Sequence, residues 1–224
     1  MSLDTNLPGF KGFPFAATLS KELGMPAYID NDANVAGLAE ALVGAGAGKK
    51  VVYYVTISTG IGGGLIVNGQ CVSGRHGFTG EIANIIIDRN RKKVNYLAVG
   101  AVENEASGKS IVRKATELMP EREFEHAGQV FELAAEGNET AKKLVDEAVG
   151  DLAQLFATLA AVVDPDLFVL GGGVMKSSAY FMDDLLAKYR AITHTALHDT
   201  DFVRAQLKEP GVIGAAMLPK SHGC

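Results

Sequence analysis

The 224-residue sequence has no tryptophan, two cysteines and no surplus of positive charge. Cys71 and Cys224 lie far apart, which leaves neither a disulfide framework nor an all-cysteine metal site. Lys and Arg number 21 against 26 Asp and Glu, a net charge of −5, so nucleic-acid binding through a basic surface is disfavoured. Apolar runs are short. Those at 159–163 and 167–170 are parted by Asp164-Pro165-Asp166, and none is long enough to cross a bilayer. The N-terminus lacks the basic and apolar regions of a secretion signal, so the sequon at Asn138-Glu139-Thr140 has no secretory context. These absences point to a reduced, cytoplasmic protein with no membrane partner. What is present, 47% hydrophobic and 21% charged residues, is the balance of a globular chain of one large domain or two small ones.

Propensity and periodicity alternate along the chain. A short helix is expected over 14–24, then a strand over Pro26-Ala-Tyr-Ile-Asp30 and an alanine-rich helix over 33–43, which the glycines at 44, 46 and 48 stop. This glycine cluster reads as a flexible linker and the best domain boundary. Val51-Val-Tyr-Tyr-Val-Thr-Ile57 has the β-branched and aromatic content of a buried strand. Residues 64–67 are expected to pair back on it, with Asn68-Gly69 turning into 70–72. A short strand at 85–87 runs into a basic loop. Helices follow over 106–118, 127–136 and 139–163, the last with Leu144, Ala148, Leu152, Leu155 and Leu159 along one face. An apolar strand at 167–170 leads into Gly171-Gly-Gly173, and helices near 178–190 and 210–219 complete an α/β pattern.

Four segments could carry chemistry. Asp30-Asn31-Asp32-Ala33-Asn34 holds four polar residues at a strand-to-helix junction, where a single N-cap needs one and where α/β folds place ligand-binding groups. Ser58-Thr59-Gly60-Ile61-Gly62-Gly63-Gly64 offers two hydroxyls and backbone that can approach an anion; a tight hairpin needing positive φ is the competing account. A side chain at Gly62 is expected to block that approach. Gly80-Glu81 follows a glycine-spaced loop, and Glu103 and Glu105 precede Ala106-Ser107-Gly108, as ligand groups or as charges at a helix start. Gly171, Gly172 and Gly173 after an apolar strand make a further backbone site or a sharp turn. The stretch at 44–50 fails as a P-loop, since Lys50 stands where Ser or Thr must reach magnesium. His194 and His198 are spaced i,i+4, but no third ligand accompanies them.

Taken in order, these segments resemble the ROK family (repressors, open reading frames and sugar kinases). The matching residues are Asn6-Leu-Pro-Gly-Phe, Asn31-Asp-Ala-Asn34, Ser58-Thr-Gly-Ile-Gly-Gly-Gly64, Gly80-Glu81, Glu103 with Ala106-Ser-Gly108, Asp164-Pro165 with Leu170-Gly-Gly-Gly-Val174, and Gly214-Ala-Ala216. The resemblance spans nearly the whole chain. It implies an actin-like ATPase, ribonuclease H-like fold of the two-lobed hexokinase type. Residues 1–45 would be the remainder of a small lobe, 46–204 the large lobe, and 205–224 a helix returning to the small lobe. It further implies ATP- and magnesium-dependent phosphorylation of a hexose or N-acetylhexosamine by a homodimer. Asp32 would be the general base, and Asn31, Glu81, Asn84 and Glu103 would join it in binding sugar hydroxyls. Ser58, Thr59, Gly60, Gly62 and Gly63 would hold phosphate, and Gly171, Gly172 and Gly173 adenosine.

Three departures qualify the match. The family's opening Asp-x-Gly-Gly-Thr phosphate motif does not occur, so the chain reads as beginning partway through the small lobe. Without that clamp, efficient kinase activity is not expected of this chain alone. The cysteine positions of the family's zinc loop align with Val94, Tyr96 and Ala101 and its histidine with Asn84, so no structural zinc is expected. That histidine also touches sugar in the family, and Asn84 can still hydrogen-bond there. The alternative function is the sugar-sensing domain of a ROK repressor, in which nucleic acid would be a partner only through an upstream DNA-binding domain.

Overall fold

Val51–Ile57 (β1) is the central strand of a five-stranded sheet in the computed structural model of the chain, which describes residues 12–221. Ile61–Val67 (β2) returns antiparallel, with Val51 opposite Val67 and Ile57 opposite Ile61. Asn68 and Gly69, at φ 51° and 74°, then turn into Gln70–Cys71 (β3). Two successive left-handed residues are what a type I′ hairpin requires. Leu167–Gly171 (β4) lies parallel to β1, and Asp201–Arg204 (β5) parallel to β4, giving the order β3-β2-β1-β4-β5.

The helices are Phe15–Leu23 (α1), Asp32–Val43 (α2), Val102–Ala106 (α3), Gly108–Leu118 (α4), Ala127–Ala135 (α5), Glu139–Val163 (α6), Met182–Ile192 (α7) and Pro210–Ser221 (α8). Strand side chains alternate between two helical layers. Val52, Tyr54, Ile66, Leu167 and Val169 pack with α2 and with Leu218 of α8. Tyr53, Val55, Ile57, Phe168 and Leu170 pack with α3 to α7 in the larger core. Helix α6 buries the face expected for it, and its Phe156 meets Phe168 and Phe202 at centroid distances of 5.1 and 5.2 Å. Helix α8 crosses α2 at Gly214, where a Cβ would overlap the Val35 carbonyl. Among the described residues no helix is long and apolar enough to cross a membrane.

Several elements differ from expectation. Residues 26–30 pair with no other strand. The stretch at 85–87 makes a single bridge, Ile86 to Ala101. Strand β2 begins at Ile61, three residues earlier than 64, so Gly62 and Gly63 belong to the ladder. None of the glycines at 60, 62, 63 and 64 has positive φ, which removes the tight-hairpin reason for them. The helix expected over 106–118 breaks at Ser107, whose extended backbone caps α4 by accepting from the Ser110 N–H. Residues 173–180 form 3-10 turns ahead of α7. The cluster at 44–48 is a folded turn, not a loose linker: Gly44 and Gly46 donate to the Glu40 carbonyl at 3.1 and 2.9 Å. Strand β5, short and half-exposed, has no distinct sequence signal. Asn6-Leu-Pro-Gly-Phe and Cys224 lie outside the described residues.

Candidate functional site

The amino end of α2 gathers the polar cluster. Asn31 is its N-cap: Oδ1 accepts from the Ala33 N–H at 2.8 Å, while Nδ2 donates to Glu81 Oε1 at 3.0 Å. One side chain therefore ends the helix and joins two motifs separated by fifty residues. Asp32, the first helical residue, is exposed, and its Oδ1 also accepts from the Ala33 N–H at 2.8 Å. The second oxygen is left for a substrate hydroxyl. Asp30 and Asn34, absent from the expected site, support this pair. Asp30 Oδ1 accepts from the Asn31 N–H and from Asn34 Nδ2, both at 2.7 Å. Asn34 is buried, and its Oδ1 has no hydrogen-bond partner. Its amide must present the donor to Asp30, which fixes its orientation.

Glycines on β2 admit this helix end. A Cβ at Gly64 would stand 2.9 Å from the Ala33 carbonyl and 3.0 Å from Asn34 Cα. One at Gly62 would reach Thr56 Cγ2 at 3.3 Å and Ala33 Cβ at 3.6 Å. Both positions thus face α2, and Gly63 faces Ile82 and Tyr53 on the other side. The turn free to meet a ligand is shorter than expected: Ser58, Thr59 and Gly60, closed by Ser58 N–H to Gly60 carbonyl at 2.8 Å. It lies at the carboxyl end of β1. At the same end of the adjacent parallel strand, Gly172 (φ 91°) and Gly173 are exposed beside it. A Cβ on Gly172 would overlap the Ile57 carbonyl, and one on Gly173 would stand 3.9 Å from Ser58 Oγ. Gly171 closes β4 beneath the Tyr54 ring. Exposed backbone and a hydroxyl at the carboxyl ends of neighbouring parallel strands suit a phosphorylated ligand.

Glu103 joins this turn. Its Oε2 accepts from the Ile61 N–H at 2.9 Å and lies against Gly60, where it leaves no room for a Cβ. Asn84 uses Oδ1 to accept from the Ala98 N–H at 2.7 Å, leaving its NH2 group available. The start of α4 backs the same turn, with Gly108 N–H donating to the Ser58 carbonyl at 2.7 Å. The expected residues therefore form two neighbouring groups: Asn31, Asp32 and Glu81 at α2, and Ser58, Thr59, Gly60, Gly172 and Gly173 at the strand ends, with Glu103 reaching the second.

Two charged assemblies went unread in the sequence. Glu40 is fully buried, and its carboxylate accepts from the N–H groups of Ala45 (2.8 Å), Gln206 (2.9 Å) and Leu207 (2.8 Å). The signal was a lone acid inside an alanine-rich, apolar helix. The other assembly joins Asp88, Arg91, Glu105, Lys114, Glu147 and Asp151. Among the described residues, Glu105, Glu147 and Asp151 are the one group spaced to hold a metal ion, but Arg91 and Lys114 already contact their oxygens. Burial lifts the Asp151 carboxyl to about 6, against the lowering pull of Arg91 and Lys114. Magnesium brought by a nucleotide relies on phosphate and water with one or two carboxylates. The exposed Asp32 at α2 fits that need.

Comparison with known proteins agrees with this arrangement. A sequence model described as "ROK family" matches residues 3–222. A glucokinase from Halalkalibacterium halodurans is 33% identical, the match covering 96% of this chain and 69% of the relative. An N-acetylmannosamine kinase from Escherichia coli O1:K1 is 32% identical over 97% of this chain and 72% of its own. Of solved structures, a ROK hexokinase from Thermus thermophilus superposes with a TM-score of 0.87 at 32% identity, over 96% of this chain and 72% of that one. A ROK glucokinase from Streptomyces griseus, in complex with glucose and AMPPNP, superposes with a TM-score of 0.77 at 27% identity, over 94% and 73% respectively.

Proposed function

The chain belongs to the ROK family, and from that premise we propose that it phosphorylates a hydroxyl of a hexose or N-acetylhexosamine at the expense of ATP. The observation that carries this reading is the bond from Asn31 Nδ2 to Glu81 Oε1 at 3.0 Å beside the exposed Asp32 carboxylate. Asn31, Glu81, Asn84 and Glu103 hold sugar hydroxyls, with the Asn84 NH2 group and the free oxygens of Glu81 and Glu103 as donor and acceptors. ATP with magnesium supplies the transferable phosphoryl group and neutralises its charge. Phosphoryl transfer asks little covalent chemistry of the protein and much positioning. Asp32 accepts the proton of the attacking hydroxyl through its second oxygen, and the Ala33 N–H holds the first in place. Ser58, Thr59 and Gly60 receive the phosphates, and Gly171, Gly172 and Gly173 the adenosine side. Gly62 and Gly63 serve the same ligand by keeping β2 flat beneath α2. Residues 1–45 and 205–224 constitute one lobe and 46–204 the other, which the crossing of α2 by α8 supports. A cytoplasmic homodimer belongs to the same reading. The repressor alternative finds less support, since the relatives at 32–33% identity are named kinases.

The test is a coupled ADP-release assay against a panel of hexoses and N-acetylhexosamines, with Asp32→Asn alongside. ADP release with one sugar, reduced by about two to four orders of magnitude in Asp32→Asn while the sugar still binds, is the expected result. An active Asp32→Asn protein removes the base assignment. Sugar binding without any ADP release favours the sensor.

A further inference from the structure

Residues 85–101 form a loop between the two candidate hydroxyl-binding segments: Asn84 immediately precedes it and Glu103 follows two residues after it. Its neck is closed by Ile87 N–H to the Gly100 carbonyl and Val102 N–H to the Ile85 carbonyl, both 2.9 Å, and by the Asn84 to Ala98 bond. The neck fixes the loop's two ends against each other but not against the rest of the molecule. Arg91 does that. Its guanidinium contacts Asp88 at 2.9 Å within the loop, Asp151 at 3.0 Å and Glu147 on α6, and Glu105 at 3.7 Å on α3. Lys114 on α4 completes the group, 2.7 Å from Glu105 and 3.1 Å from Glu147. Glu105 is two residues past Glu103, and α4 is the helix whose first N–H groups back the Ser58–Thr59 turn. One side chain therefore ties the loop to both halves of the site without touching a ligand.

Stability alone does not account for this assembly. Four carboxylates surround two cations, and Asp151, nine-tenths buried, keeps Oδ2 without a partner. Buried ion networks of that kind add little net stability and are better understood as fixing geometry. A planar fork is also needed: a guanidinium can meet acids on three elements at once, and an ammonium cannot.

We propose that Arg91 is a positioning residue for the sugar: by holding the 85–101 loop against α3 and α6 it sets the spacing of Asn84 and Glu103, and with it the affinity for the hydroxyls they bind. The proposal rests on the sugar-site reading of those two residues. Groups displaced by fractions of an ångström lose binding even when the chemistry is untouched.

Arg91→Met and Arg91→Lys, each compared with the parent, test it in two measurements on the same protein. Hydrogen exchange followed by mass spectrometry reads the loop. Exchange over 85–101 is expected to rise about tenfold in both variants, while that of β1 and β4 stays at the parent rate. ADP-release kinetics with the sugar the parent uses reads the site. The KM for sugar is expected to rise about tenfold in Arg91→Met, with kcat and the KM for ATP within about twofold, and Arg91→Lys to fall between. Should Arg91→Met fail to fold, Arg91→Lys carries both measurements. Unchanged loop exchange overturns the proposal, and so does a loosened loop with an unchanged KM for sugar. A parent that releases no ADP with any sugar counts against the kinase reading. The exchange comparison still decides whether Arg91 holds the loop, and sugar affinity read by thermal shift then replaces KM.

Discussion

Asp151 holds its proton more tightly in the folded chain than an ordinary carboxyl does, first because burial penalises its charge, with Glu105 and Asp88 adding to the effect. The folded value of about 6 lies above the ordinary 3.8, so the folded state binds more protons between those limits. Stability should therefore rise as pH falls through about 6 towards about 4, and the penalty is fully present at neutral pH. Asp151→Asn is expected to flatten that part of a plot of Tm against pH and to cost little at pH 7; an unchanged slope would show that the carboxyl titrates normally. The residue scale also bears on Cys71, which burial pushes up to about 12 with help from Asp30. Its thiol donates to the Asn34 carbonyl at 3.6 Å. Alkylation at Cys71 at pH 8, followed by peptide mass, should lag far behind free cysteine, because so little thiolate exists.

Elements of this protein were legible wherever the signal was local. The run Val51–Ile57, the Asn68-Gly69 turn and the apolar face of α6 each announced themselves through propensity, turn chemistry or periodicity. The start of β2 did not, because Gly62 and Gly63 carry no strand propensity; they are there to let backbone approach on both faces of the sheet. That changes what Gly62→Val should do. The added side chain meets Ala33 at the end of α2, so loss of both sugar affinity and turnover is expected, not a selective defect in nucleotide use. Gly214→Val tests the helix crossing in the same spirit. With the Val35 carbonyl in the way of any Cβ, overpacking should lower stability by about 1–3 kcal/mol, read as a drop in the urea midpoint at constant m.

The molecule as a whole is held most firmly at β1, β4 and α6 and least firmly at its described amino end. Every residue of β4 is buried, whereas α1 buries none, and Leu23 and Met25 are about 60% exposed. Native-state hydrogen exchange should accordingly find α1 opening by local fluctuation and β4 only by global unfolding; equal protection of the two would contradict this ordering. Within this frame the sequence by itself determined the α/β class, the central strand, most helices and the linear order of the candidate site segments, since all of these depend on residues within a few turns of one another. Only the tertiary structure decided which glycines meet a ligand and which meet a helix, why Glu40 is tolerated without a cation, and where Arg91 turns. Glu40 finds its donors at Gln206 and Leu207, and Arg91 its acceptors on α3 and α6. Propensity acts along the chain, but the burial of charge and the close approach of backbones are settled by neighbours that only folding supplies.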